Sequence, residues 1–266
     1  MDPSLADKYD ALQQILVKCG KVAVAYSGGV DSTLLLKVAA DTLPGQVVGL
    51  MAATPLHPEA EKVAATANGA AISCSLHVLP IDPLTWPQFV ANPPDRCYHC
   101  KKHIYSHFLE ECARKGATFL MDGTNLDDLK ENRPGHRALR ELKISTPLVE
   151  AGFDKVAIRR LSRELKLATW NKPSSSCLAT RLAPGMAVTL ERLQTVAQGE
   201  TFLHGLGFVA CRLRLETDEA ARLELAPGGF TAISRKSTRS TISHFFNTIG
   251  ITKLSLDLYE RKGIVA

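Results

Sequence analysis

The hexapeptide Ser27–Ser32 (SGGVDS) has the residue types and the spacing of an anion-binding turn. It follows an apolar stretch, residues 21–26, that predicts a buried strand, and it precedes a helix-like stretch, residues 33–40. Two glycines let the backbone approach an anion closely, and the N–H groups of a helix's first turn point toward it. The two serine hydroxyls add donors, and Asp31 could hold a magnesium ion. We therefore predict a phosphate site rather than a plain connection capped by Asp31.

This loop differs from a Walker A motif, which needs the pattern G-x-x-x-x-G-K-[ST]. The chain's Gly20-Lys21 pair runs directly into Val22 and lacks the upstream glycine, so the phosphate-binding lysine of that motif is missing. The pattern S-G-G-x-D-S instead resembles the PP-loop of the N-type ATP pyrophosphatases. The resemblance implies a loop that grips the pyrophosphate released when ATP adenylates a substrate. It therefore implies attack at the α-phosphate and not γ-phosphoryl transfer.

Cysteines form a second group of residues that could do chemistry. Cys97 and Cys100 make a C-x-x-C pattern ahead of a predicted helix, and Cys177 lies in a loop of small polar residues with Arg181 nearby. Such a loop favours an exposed, partly ionised thiol. Three convergent thiolates would suit an iron–sulfur cluster in which one iron keeps an open coordination position. A Cys/His zinc site remains an alternative because of three histidines nearby: His99, His103 and His107.

The composition places limits on the class of protein. The chain has 266 residues, of which 45% are apolar and 22% charged, as in ordinary globular proteins. No apolar run approaches the ~20 residues of a membrane span, and the polar, acidic N-terminus predicts a cytoplasmic protein without a secretory signal. A net charge of +5 suits an anionic ligand without demanding nucleic acid. An odd count of seven cysteines argues against a disulfide framework, and four are predicted to be buried thiols: Cys19, Cys74, Cys112 and Cys211.

Strand-like and helix-like segments alternate through the first two-thirds of the chain. This order predicts an α/β fold whose parallel sheet is flanked by helices and binds ligands at the carboxyl ends of its strands. A composition shift near Pro184 predicts two domains, residues 1–184 and residues 185–266, the second a small α+β domain. The predicted strands are 21–26, 47–51, 71–79, 118–121, 209–215, 221–225 and 252–258, and the predicted helices are 33–40, 58–68, 101–115, 153–165 and 189–205.

Six motifs along the chain bear on its family: Ser27–Ser32, Cys97–Cys100, Asp122–Asp128, Asn132–Gly135, Thr146–Leu148 and Cys177–Arg181. With these motifs the chain resembles the LarE sulfur insertases of lactate-racemase cofactor synthesis over nearly its whole length. The resemblance implies an enzyme that uses ATP to adenylate a carboxylate of pyridinium-3,5-biscarboxylic acid mononucleotide and then converts it to a thiocarboxylate of the nickel-pincer nucleotide.

Two branches of this family differ in their sulfur source. One uses a single sacrificial cysteine, at the position of Cys177, which loses its sulfur and becomes dehydroalanine. The other has three cysteines and holds a [4Fe–4S] cluster that passes on a bound sulfide. Here all three positions are filled, by Cys97, Cys100 and Cys177, so the resemblance predicts the cluster branch.

The resemblance also implies roles for individual residues. The catalytic residues would be Cys177, Asp31 and Ser32. ATP and Mg²⁺ would be bound by Ala25, Ser27, Gly28, Gly29, Asp31, Ser32, Met51, Gly123, Thr124 and Asp128. The nucleotide substrate would be bound by Arg181, Glu200, Arg212, Arg214 and Glu224. For the residues after Asp122, a simple turn with a helix cap remains an alternative.

The arginine pair of the C-terminal part has two interpretations. Arg212 and Arg214 are two apart on a predicted strand, so both side chains leave the same face and suit a phosphate or carboxylate. The alternative is a solvent-facing strand in which these arginines pair with Glu224. A helix glutamate such as Glu200 is more often simply solvated.

Three hypotheses about function are therefore compared. A sulfur insertase would need a sulfide donor, and its family suggests a homo-oligomer, a hexamer. A PP-loop tRNA thiolation enzyme is the chemical alternative, but this chain shows no zinc ribbon and no strongly basic face. A non-catalytic nucleotide-binding or zinc-dependent regulatory module would bind ATP without releasing pyrophosphate.

Overall fold

The computed structural model describes residues 2–131, 133–173, 176–208 and 210–259. The α-helices are α1 (Pro3–Cys19), α2 (Val30–Thr42), α3 (Glu59–Ala70), α4 (Pro87–Val90), α5 (Arg96–Arg114), α6 (Pro134–Glu141), α7 (Pro147–Glu150), α8 (Lys155–Glu164), α9 (Leu190–Gly205), α10 (Pro227–Ile233) and α11 (Lys236–Thr248). The strands are β1 (Val22–Ala25), β2 (Val47–Ala53), β3 (Ser75–Pro80), β4 (Phe119–Met121), β5 (Cys211–Leu215), β6 (Ala220–Leu225) and β7 (Lys253–Leu256).

The chain divides into two compact units. The first unit comprises Met1–Thr54, Glu59–Asp82 and Asp95–Lys172, and the second comprises Pro55–Pro58, Pro83–Pro94 and Pro173–Ala266. The domain boundary predicted at residue 184 stays a prediction. Within the described residues, none of the helices has the length and apolar character needed to cross a membrane.

The first unit is built on a four-stranded parallel sheet of order β3-β2-β1-β4. Strand β1 is central, with Val22 in register with Val47 on one side and Phe119 on the other. All four residues of β1 are buried, which explains its unbroken apolar sequence, since a central parallel strand is covered on both faces. The prediction of an α/β fold with a parallel sheet flanked by helices is confirmed.

Apolar side chains from several helices form the core of the first unit. Leu12 and Leu16 of α1, Leu35 of α2, and Ile158 and Leu161 of α8 are completely buried in one cluster with the two valines of β1. The buried positions of α1 and α8 recur at helical spacing, so each of these helices turns one apolar stripe inward, whereas α2 is buried on most of its sides. The sheet and its helices therefore hold the carboxyl end of β1 in a fixed place.

Two helix boundaries matter for chemistry. Helix α2 begins at Val30, three residues before the predicted start, because Gly29 takes an extended N-cap conformation and brings Asp31 into the first turn. Helix α5 begins at Arg96, so Cys97 and Cys100 lie within its first turns. The prediction that this cysteine pair stands ahead of the helix is wrong, because a spacing of three residues continues one helix face.

The second unit contains a three-stranded sheet of order β5-β6-β7. Strands β5 and β6 are antiparallel, and β6 and β7 are parallel. Helix α9 approaches β5 closely at Gly199, where a Cβ atom would lie 2.5 Å from a methyl group of Leu213. Phe246 of α11 fills the same region and is fully buried. A glycine at this point lets helix and strand pack without a gap.

Candidate functional site

The loop between β1 and α2 has a backbone shape that requires glycine. Gly28 has a φ of +70°, and a Cβ atom placed on it would lie 2.3 Å from the Cβ of Ala65 in α3. The Tyr26 hydroxyl donates to the Ala65 carbonyl oxygen at 2.9 Å. The back of the loop therefore lies directly against α3, and any side chain at position 28 would displace it.

Two serine hydroxyls meet at the mouth of this loop. The Oγ atoms of Ser27 and Ser32 are 3.0 Å apart, and the Ser27 backbone N–H donates to the Ser32 Oγ at 3.2 Å. The Gly29 N–H donates to the Ser27 Oγ at 3.4 Å. These groups stand at the N-terminus of α2, whose first N–H groups have no acceptor within the helix. The arrangement is suited to binding an anionic group such as phosphate.

Asp31 faces the same opening with a positive partner. Its Oδ2 lies 2.5 Å from the Lys155 Nζ, and its Oδ1 accepts a long hydrogen bond (3.5 Å) from the Asn125 side chain. Burial raises the pKa of the Asp31 carboxyl above its ordinary value, and the Lys155 charge offsets part of that rise. A partly desolvated carboxylate is the kind of oxygen ligand that Mg²⁺ uses, so the residues fit the predicted ion.

Two lysines that sequence reasoning missed contact this loop. Lys155 is the first residue of α8, and Lys172 donates from its Nζ to the Gly28 carbonyl oxygen at 2.9 Å. They follow their partners by 124 and 144 residues, so no local spacing could indicate them. The positive charge that a Walker A motif carries within its loop thus comes from later parts of the chain.

Asp122 follows β4 and is held by several donors. The Thr124 N–H donates to its Oδ1 at 2.8 Å, the hydroxyls of Thr124 and Tyr105 also donate to it, and the Lys101 Nζ lies 3.3 Å from its Oδ2. Burial alone would raise the pKa of Asp122, but the Lys101 charge and these hydrogen bonds bring it below its ordinary value. Burial, together with the charge and the hydrogen bond of the Asp122 carboxylate, raises the pKa of Tyr105 well above its ordinary value. The Asp122 carboxylate therefore stays ionised. The residues after it make the turn that was given as an alternative.

The residues after Asp122 form a tight turn against the hexapeptide Ser27–Ser32, called here the phosphate loop. A Cβ atom on Gly123 would lie 2.9 Å from the Ser32 backbone nitrogen, so only glycine permits this approach. Asp128 accepts from the Asn125 N–H at 3.1 Å and pairs with the Arg133 guanidinium at 2.8 Å. The β4 turn and the start of α2 therefore make one wall.

A cavity of about 440 Å³ opens between these elements of the first unit. Lys101, Arg133 and His136 also line it, and the lysine and the arginine make part of its surface positive. Met51, in contrast, is buried in β2, where its sulfur accepts from the Thr66 hydroxyl at 3.9 Å. Gly28 and Gly29 form the turn itself. Seven of the residues predicted to bind ATP or Mg²⁺ line the cavity: Ala25, Ser27, Asp31, Ser32, Gly123, Thr124 and Asp128.

The cysteines are distributed over both units. Cys97 is exposed and lines the cavity, Cys100 is half-buried one helical turn further along α5, and Cys177 is half-buried in the second unit. Within the ranges that the structure describes, no group of three or more His, Cys, Asp or Glu side chains is arranged to hold a metal ion. The three-cysteine ligand set and the zinc alternative both stay predictions. Cys112 and Cys211 are buried as predicted, whereas Cys19 and Cys74 are only half-buried.

In the second unit, Arg181 and Glu200 form a buried ion pair. The Arg181 Nε and Nη2 donate to the two Glu200 carboxylate oxygens at 3.0 and 3.2 Å, and the side chains are 2% and 8% exposed. Glu200 also accepts from the Leu213 N–H at 3.1 Å. The alternative in which Glu200 is simply solvated is wrong, because α9 turns this side chain toward β5. The Arg181 Nη1 donates to the carbonyl oxygens of Ser176 and Cys177, which fixes the backbone beside the thiol.

Arg214 and Glu224 form a second pair, across β5 and β6. Two Arg214 nitrogens donate to the Glu224 carboxylate at 2.8 and 3.2 Å, and a third donates to the Thr180 carbonyl oxygen. This is the pairing that the alternative interpretation of the strand predicts. Arg212 is largely buried, and its Nη1 donates to the Cys211 carbonyl oxygen at 3.1 Å. The substrate-binding roles of these residues stay predictions.

Comparisons with known proteins identify relatives of this chain. No family model matches it. It is 34% identical to an uncharacterised protein of Synechocystis over 96% of this chain and 94% of that protein, and 31% identical to an uncharacterised protein of Methanocaldococcus jannaschii over 73% of each. It is 32% identical to the pyridinium-3,5-bisthiocarboxylic acid mononucleotide synthase of Lactiplantibacillus plantarum, over 96% of this chain and 92% of that protein. The chain therefore belongs to the family of this synthase, the LarE family.

Proposed function

We propose that this protein is an ATP-dependent sulfur insertase that converts a carboxylate of pyridinium-3,5-biscarboxylic acid mononucleotide to a thiocarboxylate. The observation that carries the proposal is one cavity lined both by the phosphate loop with its Asp31 carboxylate and by the Cys97 thiol. The relative from Lactiplantibacillus plantarum is a synthase of the bisthiocarboxylic acid mononucleotide. An anion site and a sulfur atom on one cavity suit that chemistry.

The first step activates the carboxylate. One of its oxygens attacks the α-phosphorus of ATP, the bond to the β-phosphate oxygen breaks, and an acyl adenylate and pyrophosphate result. The hydroxyls of Ser27 and Ser32 and the first N–H groups of α2 donate to the departing pyrophosphate. Asp31 would hold the magnesium ion, which neutralises charge on the phosphates when bound. The loop therefore acts on the leaving group.

The second step exchanges oxygen for sulfur. Sulfide adds to the acyl carbon, and AMP leaves with the original carboxylate oxygen, so one sulfide is consumed for each ATP. Cys97, Cys100 and Cys177 would hold a [4Fe–4S] cluster, which would supply that sulfide. Thiols one helical turn apart, one of them open to the cavity, fit two of the three ligand positions in chemistry.

The second unit would bind the substrate's phosphate through Arg212 and Arg214. The Arg214 guanidinium already holds Glu224, so a bound phosphate would share it. The buried Arg181–Glu200 pair would keep the segment at Cys177 in place rather than touch the substrate. A homo-hexamer, as the family resemblance suggests, would be visible by analytical ultracentrifugation.

The test uses anaerobically purified protein with ATP, Mg²⁺, sulfide and the biscarboxylic acid mononucleotide. We expect pyrophosphate release that depends on the mononucleotide, and a product whose mass shows one oxygen replaced by sulfur. Nucleotide binding without pyrophosphate release would contradict the proposal and favour a regulatory module. Pyrophosphate release that depends on tRNA, and not on the mononucleotide, would favour a tRNA thiolation enzyme.

Iron and sulfide analysis distinguishes the two sulfur sources. For the cluster form we expect about four iron and about four acid-labile sulfide ions per chain, all lost in Cys97→Ala with the fold intact by circular dichroism. The sacrificial form predicts no iron. It also predicts a mass loss at Cys177 after turnover, corresponding to dehydroalanine.

A further inference from the structure

Lys155 forms an ion pair with the Asp31 carboxylate, which is the group that the proposed function assigns to magnesium. Its Nζ lies 2.5 Å from the Asp31 Oδ2, and the two side chains are 32% and 23% exposed. The backbone N–H of Lys155 donates to the Asp127 carboxylate at 2.8 Å, which fixes the start of α8. The main chain of Lys155 is therefore held in place, while its ammonium sits at the end of a flexible four-carbon stem.

The other cations around the cavity have carboxylate partners of their own. Lys101 lies 3.3 Å from the Asp122 carboxylate, and Arg133 lies 2.8 Å from that of Asp128. Neither Asp122 nor Asp128 belongs to the phosphate loop, so an anion on the loop does not compete directly for the carboxylate of either pair. The Asp31–Lys155 pair differs because one of its members belongs to the loop.

An ammonium and a divalent cation compete for one carboxylate. When magnesium binds Asp31, the Lys155 charge is released beside the phosphate loop, where the incoming triphosphate is strongly negative. The free energy lost at Asp31 is then recovered at the phosphates, which attract an ammonium more strongly than a single carboxylate does. The exchange needs only rotation of the lysine side chain.

We propose that Lys155 holds Asp31 in the nucleotide-free protein and moves to the phosphates when Mg·ATP binds, where it acts as a catalytic cation. The proposal rests on the proposed adenylation. It assigns to Lys155 the charge that a Walker A lysine supplies from within its loop. Lys172 has a different role, because it holds the Gly28 carbonyl oxygen and so supports the shape of the loop.

The first measurement is a titration of the nucleotide-free protein with Mn²⁺ alone, followed by electron paramagnetic resonance. We expect Lys155→Met to bind Mn²⁺ about twofold to fivefold more tightly than the wild type, because a competing, half-exposed ion pair is removed. Lys155→Gln should behave in the same way and serves if the methionine variant does not fold. Lys155→Arg keeps the charge and should keep the wild-type affinity.

The matched control is Lys37→Met. Lys37 pairs with Asp41 at 2.7 Å, and both residues belong to α2, the helix that carries Asp31. The variant therefore removes a lysine–aspartate pair that does not involve the loop. It should change neither Mn²⁺ affinity nor pyrophosphate release. Lys155→Met, in contrast, should lower the rate of pyrophosphate release about 100-fold, as loss of one group that stabilises developing charge does.

The outcomes separate this inference from the proposed function. Unchanged or weaker Mn²⁺ binding in Lys155→Met and Lys155→Gln would overturn the exchange and leave Lys155 a merely structural tie. No Mn²⁺ binding to the wild type would also overturn it. A third outcome is that the variants bind Mn²⁺ more tightly while the wild type releases no pyrophosphate with the mononucleotide. The first result would support the competition at Asp31. The second would refute the proposed adenylation and, with it, the catalytic role of Lys155.

Discussion

The phosphate-loop region of the first unit and the arginine cluster of the second (Arg181, Arg212 and Arg214) both concentrate charge, but their ion pairs differ in burial and geometry. Around the loop, Asp31 and Lys155 form a single contact, and their side chains are 23% and 32% exposed. In the cluster, Arg181 and Glu200 are almost completely buried and joined by two parallel hydrogen bonds. Loss of one partner from a buried bidentate pair strongly destabilises the fold, because the other charge is left buried and unpaired. A partly exposed pair can exchange partners with little change in free energy, because solvent reaches both groups. The first arrangement is therefore suited to binding a ligand and the second to fixing a backbone.

The largest effect should follow from breaking the buried pair. Glu200→Ala leaves the Arg181 guanidinium buried without its counter-charge, which we expect to lower the free energy of unfolding by about 3–5 kcal/mol. Urea titration followed by circular dichroism measures this. Glu191→Ala, at an exposed position of the same helix, should stay within about 0.5 kcal/mol of the wild type. Equal unfolding midpoints for the two variants would mean that Glu200 carries no structural charge.

The loop should show the opposite combination of effects. Asp31→Asn should reduce pyrophosphate release by about 10²- to 10³-fold, with no loss of stability, because burial raises the pKa of Asp31 and its ionised form is unfavourable in the folded protein. Asp41→Asn, whose partner is Lys37 on the outer part of α2, is the matched control for both measurements. A strongly destabilised Asp31→Asn would show that the carboxylate holds the fold rather than the ligand.

A smaller effect is expected where the β4 turn touches the loop. Gly123→Ala places a Cβ atom 2.9 Å from the Ser32 nitrogen, so the two backbone segments must separate, at a cost of about 1–3 kcal/mol in stability. Gly205→Ala is the control, since a Cβ atom there meets nothing within 4 Å. We expect thermal denaturation to show a lower midpoint for the first variant alone. A lower midpoint for both, or for neither, would contradict the close approach.

The pH dependence of stability should separate two aspartates of the same cavity. The lowered pKa of Asp122 means that its ionised form stabilises the fold above about pH 4, a contribution lost as pH falls through the folded-state pKa. The raised pKa of Asp31 has the opposite sign, because the folded protein binds its proton more readily than the unfolded chain. Between about pH 6 and pH 3, Asp122→Asn should therefore lose less stability than the wild type, and Asp31→Asn should lose more.

The smallest change in stability is expected for the half-exposed pair of the second unit. Arg214→Gln and Glu224→Gln should each lower the free energy of unfolding by about 1 kcal/mol or less, because the Arg214 side chain is 30% exposed and solvent replaces the lost contact. Under the proposed function, Arg214→Gln should raise the KM for the mononucleotide much more than Glu224→Gln does. A loss of stability as large as that of Glu200→Ala would place this pair with the buried one.

How much the sequence could predict depends on the range of the interactions involved. The strand–loop–helix at Ser27–Ser32 and the parallel sheet follow from local apolar patterns, and both are present. Lys155 and Lys172 reach the loop across more than a hundred residues of chain, so no spacing indicates them. The buried pairing of Glu200 with Arg181 could not be predicted either, because a helix sequence does not by itself show whether a glutamate faces solvent or a neighbouring strand.

The contact between the back of the phosphate loop and α3 limits how this site can be altered. With Gly28 seated on Ala65 and Tyr26 tied to the same residue of α3, the curvature of the cradle is set from behind as well as by its own sequence. Residue 65 lies directly behind the loop, so a change in the size of its side chain would alter the shape of the anion site while every serine and backbone donor of the hexapeptide is kept.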